Sequence, residues 1–335
     1  MRYLTIKSTS SCLGSHKRDL TLDKQAFKEY NPDIPASKVD HVVDHVLGRD
    51  IRYHLDPNKE TALSMAQKAA HQCLTQVGLT GKNIDLIIYQ SNIPEYFTPP
   101  TALMLHAYLG CSEHVMCYDM NANCVGLLFA YIHASAMLNY DNRIHRCLLV
   151  QSDYFTSVCR PDNLISSFAF TDNAFAMLLE EDPTQQSGIL SHKILTDTEF
   201  VDFTLAPNKG STYLMNHFAK DNITMTMDND IDTNPQRTLH YLKNLLIENN
   251  LEITDIKGFF FSQYVKATID LLQSELKIPV DKLIYIGDKF GYTGANSPFL
   301  VMQEAIKLGQ VQKGDLCLFW TIGSAFQHAF VLAKI

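Results

Sequence analysis

The run from Gly126 to Leu138, GLLFAYIHASAML, is apolar on almost every side. A helix without a polar face belongs in the middle of a core, so the rest of the chain must build a sizeable one around it. Directly before it stands YDMNANCV, a short strand pattern that turns into the helix and puts Cys124 at its start. Unpaired backbone N–H groups and the positive end of the helix dipole stabilise a thiolate or an oxyanion at such a place. An inert core cysteine is the plain alternative, because free cysteine is among the most buried residue types.

The chain has 335 residues, more than one core usually serves, which predicts two packed units or one duplicated unit. A net charge of -8 and the lack of any basic run exclude a nucleic-acid surface. The first residues, MRYLTIKSTSSCLGS, carry no apolar signal region, and no stretch of about 18 apolar residues occurs. A cytoplasmic protein with no membrane role is expected. The eight cysteines form no CxxC pair and join no histidine cluster with zinc spacing, so neither a disulfide frame nor a metal site is indicated.

Strand and helix patterns alternate along the chain, which predicts an α/β layer fold. Strands are expected over 2–7, 83–90, 146–152, 258–261, 283–286, 316–320 and 329–333. Helices are expected over 22–38 (interrupted by Pro32 and Pro35), 61–77, 101–109, 235–248, 265–276 and 297–309, and residues 207–236 read as surface strands and loops. The polar stretch 183–188 divides the chain, and CLLVQSD with FTDNAFAMLL before it parallels LCLFWTIG with FQHAFVLA after it. Two related halves, 1–183 and 184–335, are therefore expected.

Five motifs in order carry a resemblance: GRDIRYH, YDMNANCVG, FTDNAFAMLL, FGYTGANSP and GDLCLFWTIGSAF. Together they resemble the thiolase-fold condensing enzymes, most closely β-ketoacyl-acyl-carrier-protein synthase III. The resemblance implies a duplicated five-layer αβαβα architecture with the nucleophilic cysteine in the first half and the remaining active-site positions in the second. It implies that Cys124 takes an acyl group as a thioester, with backbone N–H groups of Cys124, Gly323 and Ser324 holding the oxyanion. It places Asn123, Thr98, Phe326 and His328 along the substrate tunnel. No permanently bound cofactor is implied; the substrate is an acyl-coenzyme A or acyl-carrier-protein thioester, and the assembly a homodimer or a heterodimer with another ketosynthase-like subunit.

The chain departs from the family where decarboxylation is driven. The family's histidine lies in a Pro-His-Gln-Ala-Asn pattern, where this chain reads Ser262, Gln263, Tyr264, Val265, Lys266, and Gln263 is aligned with the histidine. The family's asparagine lies in His-Gly-Asn-Thr, where this chain reads Phe290, Gly291, Tyr292, Thr293. Asn296 is read as a helix cap. Glutamine donates a hydrogen bond but cannot act as a base, and general-base catalysis is worth about 10² to 10⁴ in rate. The usual coenzyme A clamp is also poorly matched: Trp320 is the only tryptophan, Leu164 stands at the expected arginine, and Arg160 is nearby.

These residues point to an acyltransferase of fatty-acid-related, polyketide or specialised metabolism. Cys124 is acylated and an acceptor that needs no His/Asn-assisted decarboxylation collects the acyl group. Two other readings stay open: a non-catalytic or half-catalytic partner subunit of a heteromeric ketosynthase, and decarboxylative β-ketoacyl synthesis with Gln263 and Tyr292 supplying the hydrogen bonds.

Overall fold

The computed structural model describes residues 2–184, 186–227 and 234–335. Eleven strands occur among them: β1 Leu4–Leu13, β2 His16–Asp19, β3 Ile51–His54, β4 Leu86–Gln90, β5 Met116–Met120, β6 Arg146–Asp153, β7 Asn173–Glu181, β8 Gly188–Leu195, β9 Gly258–Phe261, β10 Leu316–Gly323 and β11 Gln327–Lys334. One sheet runs β1-β7-β6-β4-β5 and a second runs β8-β11-β10-β9, while β2 and β3 pair as a separate ribbon.

The two sheets repeat one pairing scheme. In the first, β4 is parallel to β6, which is antiparallel to β7, which is antiparallel to β1. In the second, β9 is parallel to β10, which is antiparallel to β11, which is antiparallel to β8. The counterpart of β5, parallel to β4 over five residues, is reduced in the second sheet to a single parallel bridge between Phe259 and Leu283. The strand expected over 283–286 is thereby corrected: its chain turns directly into the short helix Gly287–Phe290.

Six helices complete the layers: α1 Ala62–Thr75, α2 Thr101–Leu109, α3 Gly126–Tyr140, α4 Pro235–Glu248, α5 Lys266–Leu276 and α6 Ser297–Lys307; a further helix, Leu20–Tyr30, lies outside them. The all-apolar helix α3 and its counterpart α6 fill the space between the sheets, with Leu127, Leu128, Phe299 and Val301 in one core with Met177 and Phe319. Helices α1 and α2 cover the outer face of the first sheet. Helices α4 and α5 cover the outer face of the second. This is the five-layer αβαβα order. The stretch from 207 on contains short helices, Gly210–Asn216 and Lys220–Ile223, in place of the expected strands; residues 228–233 of that reading lie outside the described residues.

Helix starts follow local chemistry. Thr61 and Ser64 close a reciprocal capping box on α1. Asn234 caps α4 ahead of Pro235 at its first turn. Gly126 opens α3 because a side chain there would strike Gln90, whose Cγ lies 2.5 Å from the position a Cβ would take.

Candidate active site

The turn Asn123–Val125 joins β5 to α3 and is braced from several sides. Asn123 has φ 53°, a left-handed conformation that asparagine tolerates better than most residues. Its N–H donates to Asn121 Oδ1 at 3.2 Å and its carbonyl accepts from Gln90 Nε2 at 3.0 Å. The Cys124 carbonyl accepts from Thr321 Oγ1 at 3.0 Å. The last residue of β10, Gly323, comes so close that a Cβ on it would lie 3.6 Å from the Cys124 nitrogen. Beyond it, Ala325 and Phe326 take φ 58° and 52°, conformations natural to glycine; such strain persists where the surroundings over-determine the backbone.

Half-buried Cys124 lines a cavity of 370 Å³ together with Asn123, Gly323, Ser324, Phe326 and Tyr292. Among the described residues that line it there is no histidine, lysine, arginine, aspartate or glutamate. Burial dominates the thiol and pushes its pKa up to about 12, with Tyr292 the one neighbour that pulls it down. The lowered pKa expected from the helix start is therefore corrected. Taking the sulfur out of water disfavours the thiolate.

Tyr292 is held by its backbone: its N–H donates to the Ala169 carbonyl and its own carbonyl accepts from the Thr171 N–H, both at 2.9 Å. Its ring packs against Tyr264 with centroids 5.1 Å apart. The hydroxyl is buried and faces Cys124 and the buried hydroxyl of Ser262, outside ideal hydrogen-bond geometry to either. Tyr292 senses both Cys124 and Ser262, and its pKa lies well above the ordinary phenol value because of burial. It remains a proton donor at any physiological pH.

Gln263 does not face Cys124, which corrects its assignment to the histidine position. Its Nε2 donates to the Phe261 carbonyl at 2.9 Å, and its Oε1 accepts from the backbone N–H of Ile286 at 2.8 Å and of Gly287 at 3.2 Å. Side chains alternate in direction along extended chain. The residue that turns towards Tyr292 just past β9 is therefore Ser262. Sliding the Pro-His-Gln-Ala-Asn pattern by one residue would have revealed this, since Gln263 then falls on the pattern's own glutamine and Ser262 on its histidine. Arg49, from the GRDIRYH motif, is buried and fixes the same segment by donating to the carbonyls of Gln263 at 2.5 Å and Tyr264 at 2.9 Å. Tyr264, which the sequence reading passed over, lines the cavity.

Other expected positions divide. Asn123 and Phe326 line the cavity; Thr98 and His328 are not among its lining residues. Thr98 is exposed in the loop before α2. His328 is fully buried in β11, its Nδ1 accepting from Trp320 Nε1 at 3.3 Å, and burial pushes its pKa down to about 4. It stays neutral and packed between Trp320 and Phe330. Arg160 pairs with Asp162 at 2.5 Å and does not line the cavity. Asn296 makes no capping bond; its side chain donates to Gln151 and Asn173 inside the core. Asp153, fully buried, collects the Ser91 hydroxyl and the N–H groups of Asn92 and Ile93 and so fixes the loop that forms one side of the cavity. No group of metal-ligating residues occurs among the described residues, and no helix among them is long and apolar enough to cross a membrane.

Comparison with known proteins agrees with this geometry. The family described as 3-oxoacyl-[acyl-carrier-protein] synthase III matches residues 118–198 and its C-terminal region matches residues 246–335; the two matches span just over half of the chain. β-Ketoacyl-[acyl-carrier-protein] synthase III of Ehrlichia canis is 27% identical over 285 residues, covering 84% of this chain and 86% of that protein. The crystal structure of 3-oxoacyl-[acyl-carrier-protein] synthase III from Aquifex aeolicus superposes with a TM-score of 0.84 at 21% identity, covering 99% of this chain and 100% of that one. OleA of Xanthomonas campestris, solved with lauric acid and lauroyl-CoA, superposes with a TM-score of 0.81 at 18% identity, covering 99% of each chain. With the fold repeated over its whole length and both halves matched in sequence, the chain belongs to the 3-oxoacyl-[acyl-carrier-protein] synthase III family of thiolase-fold condensing enzymes.

Proposed function

We propose that this protein is an acyltransferase of the ketosynthase III type in which Cys124 accepts an acyl group from a coenzyme A or carrier-protein thioester. An acceptor other than a decarboxylating malonyl group then collects it. The observation that carries this reading is the cavity itself: the thiol opens onto largely apolar space, and none of the described residues that line it has a charged or imidazole side chain. In the first step Cys124 Sγ bonds to the acyl carbon, the carbon–sulfur bond of the donor breaks, and the thiol proton leaves with the departing thiol. The oxyanion is assigned to the backbone N–H groups of Cys124, Gly323 and Ser324, a reading supported by the close approach of Gly323 to the Cys124 nitrogen. The lauroyl-CoA bound in OleA supports the view that this fold can take a long acyl thioester.

Decarboxylation asks for more than the site offers. A malonyl carboxylate would meet no cationic side chain among the described residues that line the cavity, and burying an unpaired charge is costly. The enolate formed on loss of carbon dioxide needs donors to its oxygen, and Gln263 directs its amide to the Phe261 carbonyl and is not among the described residues that line the cavity. Tyr292, with Ser262 behind it, supplies neutral donors suited to an uncharged carbonyl.

Single-turnover mass spectrometry tests the proposal. The acyl-enzyme should form, resist malonyl thioester without releasing carbon dioxide, and return to free mass with an amine, hydroxyl or preformed carbon nucleophile as acceptor. Stoichiometric carbon dioxide release would overturn the acceptor assignment, and failure to form any adduct would overturn the role of Cys124.

A further inference from the structure

The cavity beside Cys124 is walled with rings. Seven of its 22 described lining residues are aromatic, whereas aromatic residues make up 10% of the chain, so rings are concentrated at this one place. They form two groups. On the inner side, Phe155 stacks on Phe170 with centroids 5.0 Å apart and planes 26° apart, and Phe170 continues to Tyr292 at 5.8 Å. On the outer side, Phe200 meets Phe203 at 4.8 Å and Phe326 at 5.0 Å. Met225 and Met227 also line the space.

The two sides differ in stiffness. Phe155, Phe170 and Tyr292 are each at most 5% exposed, and Phe155 is pressed against Gly294, where a Cβ would lie 2.8 Å from the ring. That wall cannot retreat without moving backbone. Phe203, by contrast, is 50% exposed, and the half-buried Met227 has a side chain of a type that adapts to what it touches. A flat group therefore meets a fixed ring face on one side and an adjustable cover on the other. It gains offset or edge-to-face ring contacts and sulfur–ring contacts that a saturated chain cannot make. A saturated chain of equal carbon count also loses more rotational freedom on entering.

We propose that this cavity selects a flat, uncharged aryl or conjugated acyl group over a saturated chain with the same number of carbons. The proposal rests on the reading that Cys124 accepts an acyl group, by the bond exchange written above, and it names the class of group accepted.

The experiment compares N-acetylcysteamine thioesters of 4-ethylbenzoic and nonanoic acid, which carry equal carbon counts. Binding is measured on Cys124→Ala, which cannot be acylated at that position, and acylation by intact mass on the wild type. The aryl thioester should bind about fivefold to tenfold more tightly, and Phe203→Leu and Phe170→Leu should each lower that ratio by about threefold. Phe203 is half exposed, so its variant keeps the test valid if the buried Phe170→Leu fails to fold. Equal or tighter binding of the nonanoyl thioester, or a ratio unmoved by the leucine variants, would overturn the proposal. If neither thioester modifies the wild type, the acylation of Cys124 is wrong, and the binding ratio still decides the preference of the cavity.

Discussion

The turns Asn123–Val125 and Gly294–Asn296 are built alike and touch at the centre of the molecule. Each is a single 3-10 turn that feeds a buried helix between the two sheets, α3 in one case and α6 in the other. Their surroundings differ. All three residues of the second turn are buried, and the Asn296 side chain is consumed by Gln151 and Asn173. The first turn exposes Cys124 to a cavity that the buried Tyr292 also lines, with the Tyr292 hydroxyl acting on the thiol. On the proposed reading a helix start alone makes no nucleophile: the reactive turn is the one that faces space.

The pH response should separate the two turns most strongly. With the folded thiol near 12, the thiolate fraction rises tenfold per pH unit below that value. Alkylation of Cys124 by iodoacetamide in the folded protein should therefore speed up about a thousandfold from pH 7 to pH 10. A rate already on a plateau at pH 7 would mean a depressed thiol pKa and a base that is not among the described residues lining the cavity. The sign for stability is opposite: the raised thiol pKa contributes fully below the unfolded value of about 8.5 and its contribution is lost as pH climbs from there towards 12.

Next in size is the contrast between neighbours. Gln263→Ala should cost about 3 kcal/mol, because the Phe261 carbonyl and the N–H groups of Ile286 and Gly287 lose their partner inside the core. Ser262→Ala, which removes a hydroxyl that meets only the neutral Tyr292 hydroxyl, should leave the denaturant midpoint nearly unchanged. Equal losses in the two variants would return Gln263 and Ser262 to equivalent roles. Asn296→Ala should cost about 2 kcal/mol for the same reason as Gln263→Ala, with acylation per folded molecule unaltered. The smallest shift belongs to Tyr292→Phe: stability within about 0.5 kcal/mol of wild type, acylation slower by about tenfold, and the pH profile moved upward because Tyr292 pulls the thiol pKa down. A variant destabilised by several kcal/mol would show Tyr292 to be a packing residue instead.

Much of this was legible in the amino-acid sequence. The all-apolar run 126–138 required a central layer, the repeated strand–helix order required a second sheet like the first, and five ordered motifs located Cys124 and Tyr292. What failed has physical causes. A one-residue register at the end of β9 reverses side-chain direction, so the alignment of Gln263 with histidine pointed the wrong side chain at the thiol. The strand over 283–286 has the right composition but meets its neighbour only at Leu283. The thiol pKa depends on desolvation by residues far away in sequence, which no local helix pattern reports. Tyr264 and the ring-lined cover around Phe200 come together only through tertiary packing.

The central claim is that Cys124, alone among eight cysteines, is open to an acyl thioester, and that its counterpart turn is closed. Peptide mapping after acyl-thioester treatment, on wild type and on the double variant Cys124→Ala with Ala295→Cys, tests it directly. The account predicts one acyl group on the Cys124 peptide of the wild type and none anywhere on the double variant. An acyl group on another cysteine of the wild type, or one on the cysteine introduced at position 295 in the folded protein, would contradict it.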